Sequence, residues 1–425
     1  MPDLTRLLPA RGPLRTYALV TLVDSTGLGL YTTGSVLFFT RGLGLSASFV
    51  GLGLTVAALV GLLASVPAGR LADRRTRRGV LVPFYAAQAV LFALFPLVHG
   101  RVSFLAVVCG VALAESGARP VRRALLSDLV TGADRVRASA YNRAVLNVGV
   151  SVGAVGAGGA LALGSRAAYD ALVLGNAVSF AVAGVLLAGL QVPPAAPAGA
   201  EATGSAARGP FRDLRFVALA VSCGLLYLSG SLLDVALPLQ ITGHTAAPAW
   251  VYAPLLLLNT GMAITLQVRA SRGSETVAGA ATANRRAGVA LLGACVLFPL
   301  ATLGGAIVAV GLLVLTTVLL TVGELLSSAG SWGLSYELAP AARQAEWLGA
   351  FGVLSQLAQV PGPRPSRPRR CRRVDPARAR LPHRRPCQPR PGPRQTRPCA
   401  SRSMKRSARR RTHTCSISGP TAFGR

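Results

Sequence analysis

Apolar residues run through this chain in blocks long enough to cross a bilayer, and the polar residues gather between them. With about 20 apolar residues needed for a hydrocarbon core of about 30 Å, the blocks place spans near 15–39, 46–68, 79–98, 102–119, 144–164, 168–190, 215–239, 249–268, 286–303 and 305–328. An eleventh begins near Glu346 and stops at Val360. Such segments are expected to be helical, because lipid offers no partner to free backbone N–H and C=O groups. The fold class expected is therefore an all-α membrane protein with about ten complete spans and an incomplete eleventh. The apolar run behind Arg6, Arg11 and Arg15 is too long for a cleaved signal peptide and lacks a small-residue cleavage site, so the first helix is expected to stay.

Composition strengthens this picture. Hydrophobic residues make up 51% of the 425 and charged residues only 14%, against about a quarter charged in soluble domains. The cations alternate in their placement. Arg70, Arg74, Arg75, Arg77 and Arg78 join the second and third spans, and Arg122, Arg123, Arg135, Arg137 and Arg143 are assigned to the connection between the fourth and fifth. Arg208, Arg212 and Arg215 follow the sixth, and Arg269, Arg272, Arg285 and Arg286 the eighth, whereas the alternate loops are nearly bare. By the positive-inside rule the N-terminus and the long loops are expected in the cytoplasm, with the protein multi-pass in the plasma (inner) membrane.

A larger period overlies the spans. Residues 1–190 form one set of six, a Pro-, Ala- and Gly-rich stretch lies within 191–214, and 215–360 holds the second, incomplete set. This is the layout of two helical bundles joined by a flexible linker and meeting around a midplane cavity.

The loop "GRLADRRTRRG", with Gly69, Asp73, Arg74, Arg77 and Arg78, resembles the loop signature of the major facilitator superfamily. The fifth-span run "NVGVSVGAVGAGGAL" looks like that family's Gly-rich antiporter-type helix, and "VDSTGLGLY" in the first span is a weaker match. The resemblance covers roughly residues 15–360. It implies a proton-coupled carrier of drugs or metabolites, working by rocking of two bundles. It further implies that Asp24 is a titrating or gating carboxylate, and that the glycine face of the fifth span, with Gly149, Gly153 and Gly156, meets the other bundle. Spacings of three and four among those glycines also suit ordinary close helix packing.

Electrostatics gives the loop a role of its own. Asp73 carries a negative charge that topology does not require, and it can cap the N-terminus of a neighbouring helix while the arginines face C-terminal carbonyls or acids of the opposite bundle. Such contacts form a conformational latch. Inside the spans ionisable groups are costly and so mark function. Asp24, the Glu115 and Arg119 pair one turn apart, Asp234 and Glu324 are the candidates for a proton and substrate pathway, with Tyr31 beside them. Gln88, Asn147, Asn176, Gln240, Asn259 and Gln267 could line the same cavity or bridge helices.

The chain changes character after Val360. Residues 361–425 are dense in Arg and Pro, hold about 20 of the 45 Lys plus Arg, and are expected to be disordered. Three readings stand open: a tail for anionic lipid headgroups, a tail for nucleic acid phosphates, or an out-of-frame translation of a GC-rich gene, which a single lysine, Lys405, favours. Nucleic acid is the least expected partner. The seven cysteines show neither a disulfide framework nor C-x-x-C spacing, so no metal and no cofactor are expected. No phosphate-binding loop, nucleophile elbow or H-E-x-x-H pair occurs, which speaks against ATP-driven transport and against an enzyme. The function expected is proton-coupled efflux of a small molecule by a monomer in the bilayer. The alternative is a transport-inactive membrane protein, either truncated or a scaffold with a basic tail.

Overall fold

Helices form along the apolar blocks, and a capping side chain marks the start of several of them. A computed structural model describes residues 12–130, 132, 134–163, 165–192 and 209–359. The helices are α1 (Pro13–Leu37), α2 (Ala47–Arg74), α3 (Arg77–Ala93), α4 (Arg101–Leu129), α5 (Asp134–Leu163) and α6 (Arg166–Ala188). After the linker come α7 (Leu214–Leu226), α8 (Leu237–His244), α9 (Tyr252–Ala270), α10 (Val277–Leu300), α11 (Ala306–Glu337) and α12 (Gln344–Leu357). No strand occurs among the described residues. Most of the linker, and all of 360–425 with the tail readings attached to it, lie outside the described residues.

Local chemistry sets several boundaries. Ser46, Ser165 and Thr276 accept from backbone N–H groups in the first turns of α2, α6 and α10, and Asp213 accepts from Arg215 and Phe216 at the start of α7. Gly100, at φ 93, makes the left-handed turn into α4. The seventh span was expected to be continuous. Instead α7 gives way to a turn at Tyr227–Leu228, a short helical piece at Ser229–Ser231 and a π-helical segment at Leu232–Ala236 before α8. Pro238 accounts for the π-helical segment, since it supplies no N–H to the carbonyls of that turn.

Seven helices are long and apolar enough to cross a membrane by length and composition: those beginning at Ala47, Arg77, Arg101, Asp134, Arg166, Ala249 and Ala306. That is fewer than the ten complete spans expected. The broken seventh block leaves α7 at 13 residues, and α10 carries Arg285 and Arg286 within its length.

The exterior is oily, and the interior is apolar too, with buried Ser, Thr, Asn and Gln among its aromatic and aliphatic side chains. Leu63, Val155, Leu257 and Ile307 are exposed, as suits contact with lipid chains. The main apolar cluster draws on α1 to α6, with Trp332, Tyr336, Ala345 and Leu348 of α11 and α12 joining it. Three others lie mainly in the second half, around Phe216, Trp347 and Phe351, around Leu237, Ile241 and Leu313, and around Leu291, Ala294 and Leu320. Within the first half α1 packs on α5 and α6, and α2 on α4; in the second, α10 packs on α11. Across the halves α12 packs on α2, and α9 and α11 on α5. All described residues belong to one compact unit.

Candidate functional site

The charged groups buried in the first half converge on one arginine. Arg122 donates to Asp24 Oδ2 at 2.6 Å and to Glu115 Oε1 at 2.6 Å, and Glu115 also accepts from Arg119 at 3.2 Å. Tyr85 donates to Asp24 at 3.3 Å, and the Arg122 guanidinium lies 6.0 Å from the centre of the Tyr85 ring. The Tyr17 hydroxyl holds the Arg122 carbonyl at 3.0 Å, which fixes the backbone as well. Each charge thus has a counterion, which makes burial tolerable.

Arg122 and Arg123 do not belong to a loop, as expected, but to the body of α4. The helix continues to Leu129, with Pro120 inside it, and the Arg122 side chain finds the carboxylates of Asp24 and Glu115 within the protein. Arg143 likewise sits inside α5 and donates to Glu324 on α11 at 3.3 Å. The sequence carried a signal for Arg122: Glu115, Arg119 and Arg122 are spaced by four and three residues, one face of a helix.

These groups line a cavity between the halves. One lobe, about 400 Å³, is walled by Tyr17, Thr21, Asp24, Glu115, Arg119, Arg122, Arg123, Ser139, Asn142, Arg143, Phe180, Trp332 and Tyr336. A second, about 440 Å³, shares Arg119, Arg123, Arg143 and Trp332 and adds Tyr227, Ser229, Gly230, Glu324, Phe351 and Gln356. The break between α7 and α8 therefore faces the cavity, where irregular backbone can be solvated. Both lobes fall in the size range of small-molecule sites.

Several expected pathway residues lie elsewhere. Tyr31 packs against Phe39, Phe92 and Phe95 in an aromatic cluster and is absent from the cavity wall. Gln88, Asn176 and Gln267 are buried, Asn259 donates to Thr321, and Gln240 to the Phe298 carbonyl. None of these five, nor Asn147, lines either lobe. Asp234 lies in the π-helical segment, with its side chain outside the described residues. The fifth-span glycines face α1 and not the other half. A Cβ at Gly149 would meet Ser25, one at Gly153 the Thr26 carbonyl, and one at Gly156 the side chain of Leu30. Small residues on both helices, among them Ser25 and Gly29, draw α5 to α1.

The stretch expected as a loop is helical, Gly69 to Arg74 closing α2 and Arg77 opening α3, and this last turn of α2 meets the start of α12. Asp73 Oδ1 accepts from the Ala345 N–H and Oδ2 from the Glu346 N–H, both at 2.9 Å. The N-cap position of α12 is Arg343, which has no side-chain cap bond of its own, so Asp73 caps that helix from the other half of the chain. Arg70 donates to Glu346 at 2.9 Å, and Arg343 pairs with the same carboxylate. Arg77 reaches Asp128, the Ala124 carbonyl and Gln344, while Ser127 also donates to Gln344 at 2.8 Å. Arg78 donates to the Leu190 carbonyl just after α6. Arg74 is exposed and has no ion pair among the described residues. Gly69 lies against the Ala345 carbonyl, and Ser65 donates to the Gly349 carbonyl at 3.3 Å. Farther along this face of the molecule, Ser139 of α5 and Tyr336 of α11 are hydrogen-bonded at 3.1 Å.

Known proteins with this architecture are membrane carriers. The chain superposes on the human organic anion transporter MFSD10 (TETRAN) with TM-score 0.58 and 17% identity, covering 84% of this chain and 92% of that one. A bacterial homologue of the iron transporter ferroportin, in an outward-facing state, gives TM-score 0.63 at 17% identity over 82% and 90%. The transporter FucP in its outward conformation gives 0.59 at 14% over 82% and 89%. These likenesses are of fold. In sequence, 119 residues are 29% identical to an uncharacterized MFS-type transporter, YqjV, of Bacillus subtilis (strain 168), a match spanning 28% of this chain and 29% of that relative. The family profile described as Major Facilitator Superfamily matches residues 17–363. The chain is a multi-pass membrane protein that belongs to the Major Facilitator Superfamily, whose members are transporters and not enzymes.

Proposed function

We propose that this protein is a secondary active transporter that exports a small organic molecule from the cell by alternating access, driven by proton influx across the plasma membrane. In this reading it works as a monomer with its N-terminus and arginine-rich loops in the cytoplasm. The observation that carries the reading is the chain Asp24–Arg122–Glu115 on the cavity wall. A proton arriving at Asp24 removes one of the two counterions of Arg122. The guanidinium then turns to Glu115 or to the cavity, so protonation and cavity charge are coupled through one side chain.

The α2–α12 seam supports the alternating part of the cycle. The Asp73 cap exists only while α12 lies against α2, and capping is worth about 0.5–2 kcal/mol. A contribution of that size is enough to bias two states that differ by a few kcal/mol. The seam is closed at the arginine-rich face, and in this reading that shuts the pathway on the cytoplasmic side.

The test is flux in proteoliposomes containing the full chain, with a library of small drugs and metabolites and an imposed pH gradient. Asp24→Asn is expected to abolish gradient-driven flux while leaving substrate exchange at equal concentrations intact. Wild-type flux indifferent to the gradient would overturn the proton coupling, and the absence of flux for every compound would overturn the transport reading.

A further inference from the structure

The cavity walls hold more positive than negative charge, and the surplus can be assigned to one residue. Four arginines and three carboxylates face the two lobes. Asp24 and Glu115 are both engaged by Arg122, Glu115 is shared with Arg119, and Glu324 is taken by Arg143. Arg123 has no ion pair or hydrogen bond among the described residues, and it lines both lobes and a smaller pocket of about 70 Å³ beside them. An unmatched guanidinium on a cavity wall, partly withdrawn from solvent, is a ready partner for an anion. Its planar fork suits a carboxylate or a phosphate oxygen pair.

Next to this cation lies aromatic surface. Trp332 belongs to both lobes, with Tyr336 on one side and Phe351 on the other. An aromatic or apolar body has a wall to lie on while its charged end reaches Arg123. We propose that the transported molecule is an organic anion, one carboxylate or phosphate on an apolar body, and that Arg123 is the residue that binds the anionic group. This deepens the transport reading above and rests on it for the word transported; the binding claim stands on the cavity alone.

The experiment compares four probes of similar size on the purified full chain in detergent: phenyl phosphate, benzoate, benzyl alcohol and benzyltrimethylammonium. Binding is followed by calorimetry. The anions are expected to bind more tightly than the neutral and cationic probes. Arg123→Gln is expected to weaken the anions about tenfold or more, with Arg123→Lys between, and to leave benzyl alcohol unchanged. Thermal unfolding of both variants shows whether the fold is kept, and Arg123→Lys keeps the test decisive if Arg123→Gln does not fold. Binding of the cation as tightly as the anions, no anion binding at millimolar concentration, or unaltered anion binding without the guanidinium would each overturn the proposal.

A second arm separates two sources of the same chemistry. In nanodiscs containing phosphatidylglycerol, displacement of phenyl phosphate assigns the site to a lipid headgroup, and undiminished binding assigns it to a soluble anion; both outcomes uphold an anion at Arg123. Anion binding in a chain that shows no flux would leave this inference standing and overturn transport. Flux confined to neutral or cationic compounds would uphold transport and overturn this inference.

Discussion

Two of the seams between the halves of this protein, α2–α12 and α5–α11, are made of different chemistry. At the α2–α12 seam a carboxylate caps two backbone N–H groups across 272 and 273 residues of sequence, an arginine pairs with a nearly buried glutamate, and Gly69 and Gly349 let the backbones touch. At the α5–α11 seam the Ser139 and Tyr336 hydroxyls are hydrogen-bonded at 3.1 Å, and Arg143 meets Glu324 at 3.3 Å in the wall of the cavity. The first set of contacts is all or none. A helix end is either capped or orphaned, and glycine contacts do not stretch. The second is permissive, because an ion pair facing a cavity exchanges its partner for water or a bound molecule at little cost. The α2–α12 seam is therefore the place where a small push changes the state of the molecule.

The largest disruption should come from closing off the glycine contact. In Gly69→Leu the new side chain meets the Ala345 carbonyl and the Glu346 backbone, so the two helices cannot approach. Hydrogen exchange at the N-terminal amides of α12 should rise to the level of an unprotected turn, with transport lost and insertion normal. Unchanged exchange there would mean that the seam does not depend on close approach. Next in size is Asp73→Ala, which orphans the Ala345 and Glu346 amides without steric change. Loss of a cap at about 1 kcal/mol or somewhat more corresponds to about tenfold faster exchange at those amides. The start of α10, capped by Thr276, should be unaffected and serves as the internal control. Equal acceleration at both helix ends would indicate general loosening.

The sequence announced part of this and concealed the rest for identifiable reasons. The apolar blocks located most of the helices, because a bilayer demands long apolar runs, but they did not show the break in the seventh. Asp73 stood out as the one charge in its loop that topology does not explain. Its partners did not, since the amides it caps belong to a helix whose start, near Glu346, has no capping side chain to mark it. The glycine stripe of α5 was plain from spacing, yet spacing gives a face and not a neighbour, and the neighbour turned out to be α1. Arg122 was misplaced for a similar reason. Three arginines and a proline within Arg119–Arg123 read as the end of a span, and the pairing of Arg122 with Asp24 on another helix lets α4 carry that residue inward. What a sequence hides here is partnership across elements, which is also what makes the site.

A smaller effect is expected from Arg70→Gln. Arg70 is 55% exposed, and Glu346 keeps its contacts with Arg343 after the substitution. Exposed ion pairs contribute about 0.2–1 kcal/mol, so exchange at the start of α12 should rise by no more than about threefold to fivefold. A loss as large as that of Asp73→Ala would show that the charge pair, and not the helix cap, governs the seam.

The smallest effect should come from the permissive side. Glu324→Gln removes the charge that answers Arg143, whose side chain is 39% exposed, and the guanidinium can turn to cavity water or to a bound anion. Exchange at the start of α12 should then stay within about twofold of wild type, while the affinity for anionic probes rises because the cavity has gained positive charge. These two readouts move independently if the seams are distinct devices. Should Glu324→Gln instead open the α2–α12 seam as widely as Asp73→Ala does, the seams would have to be treated as one coupled lock, with Arg143 and Asp73 at its two ends.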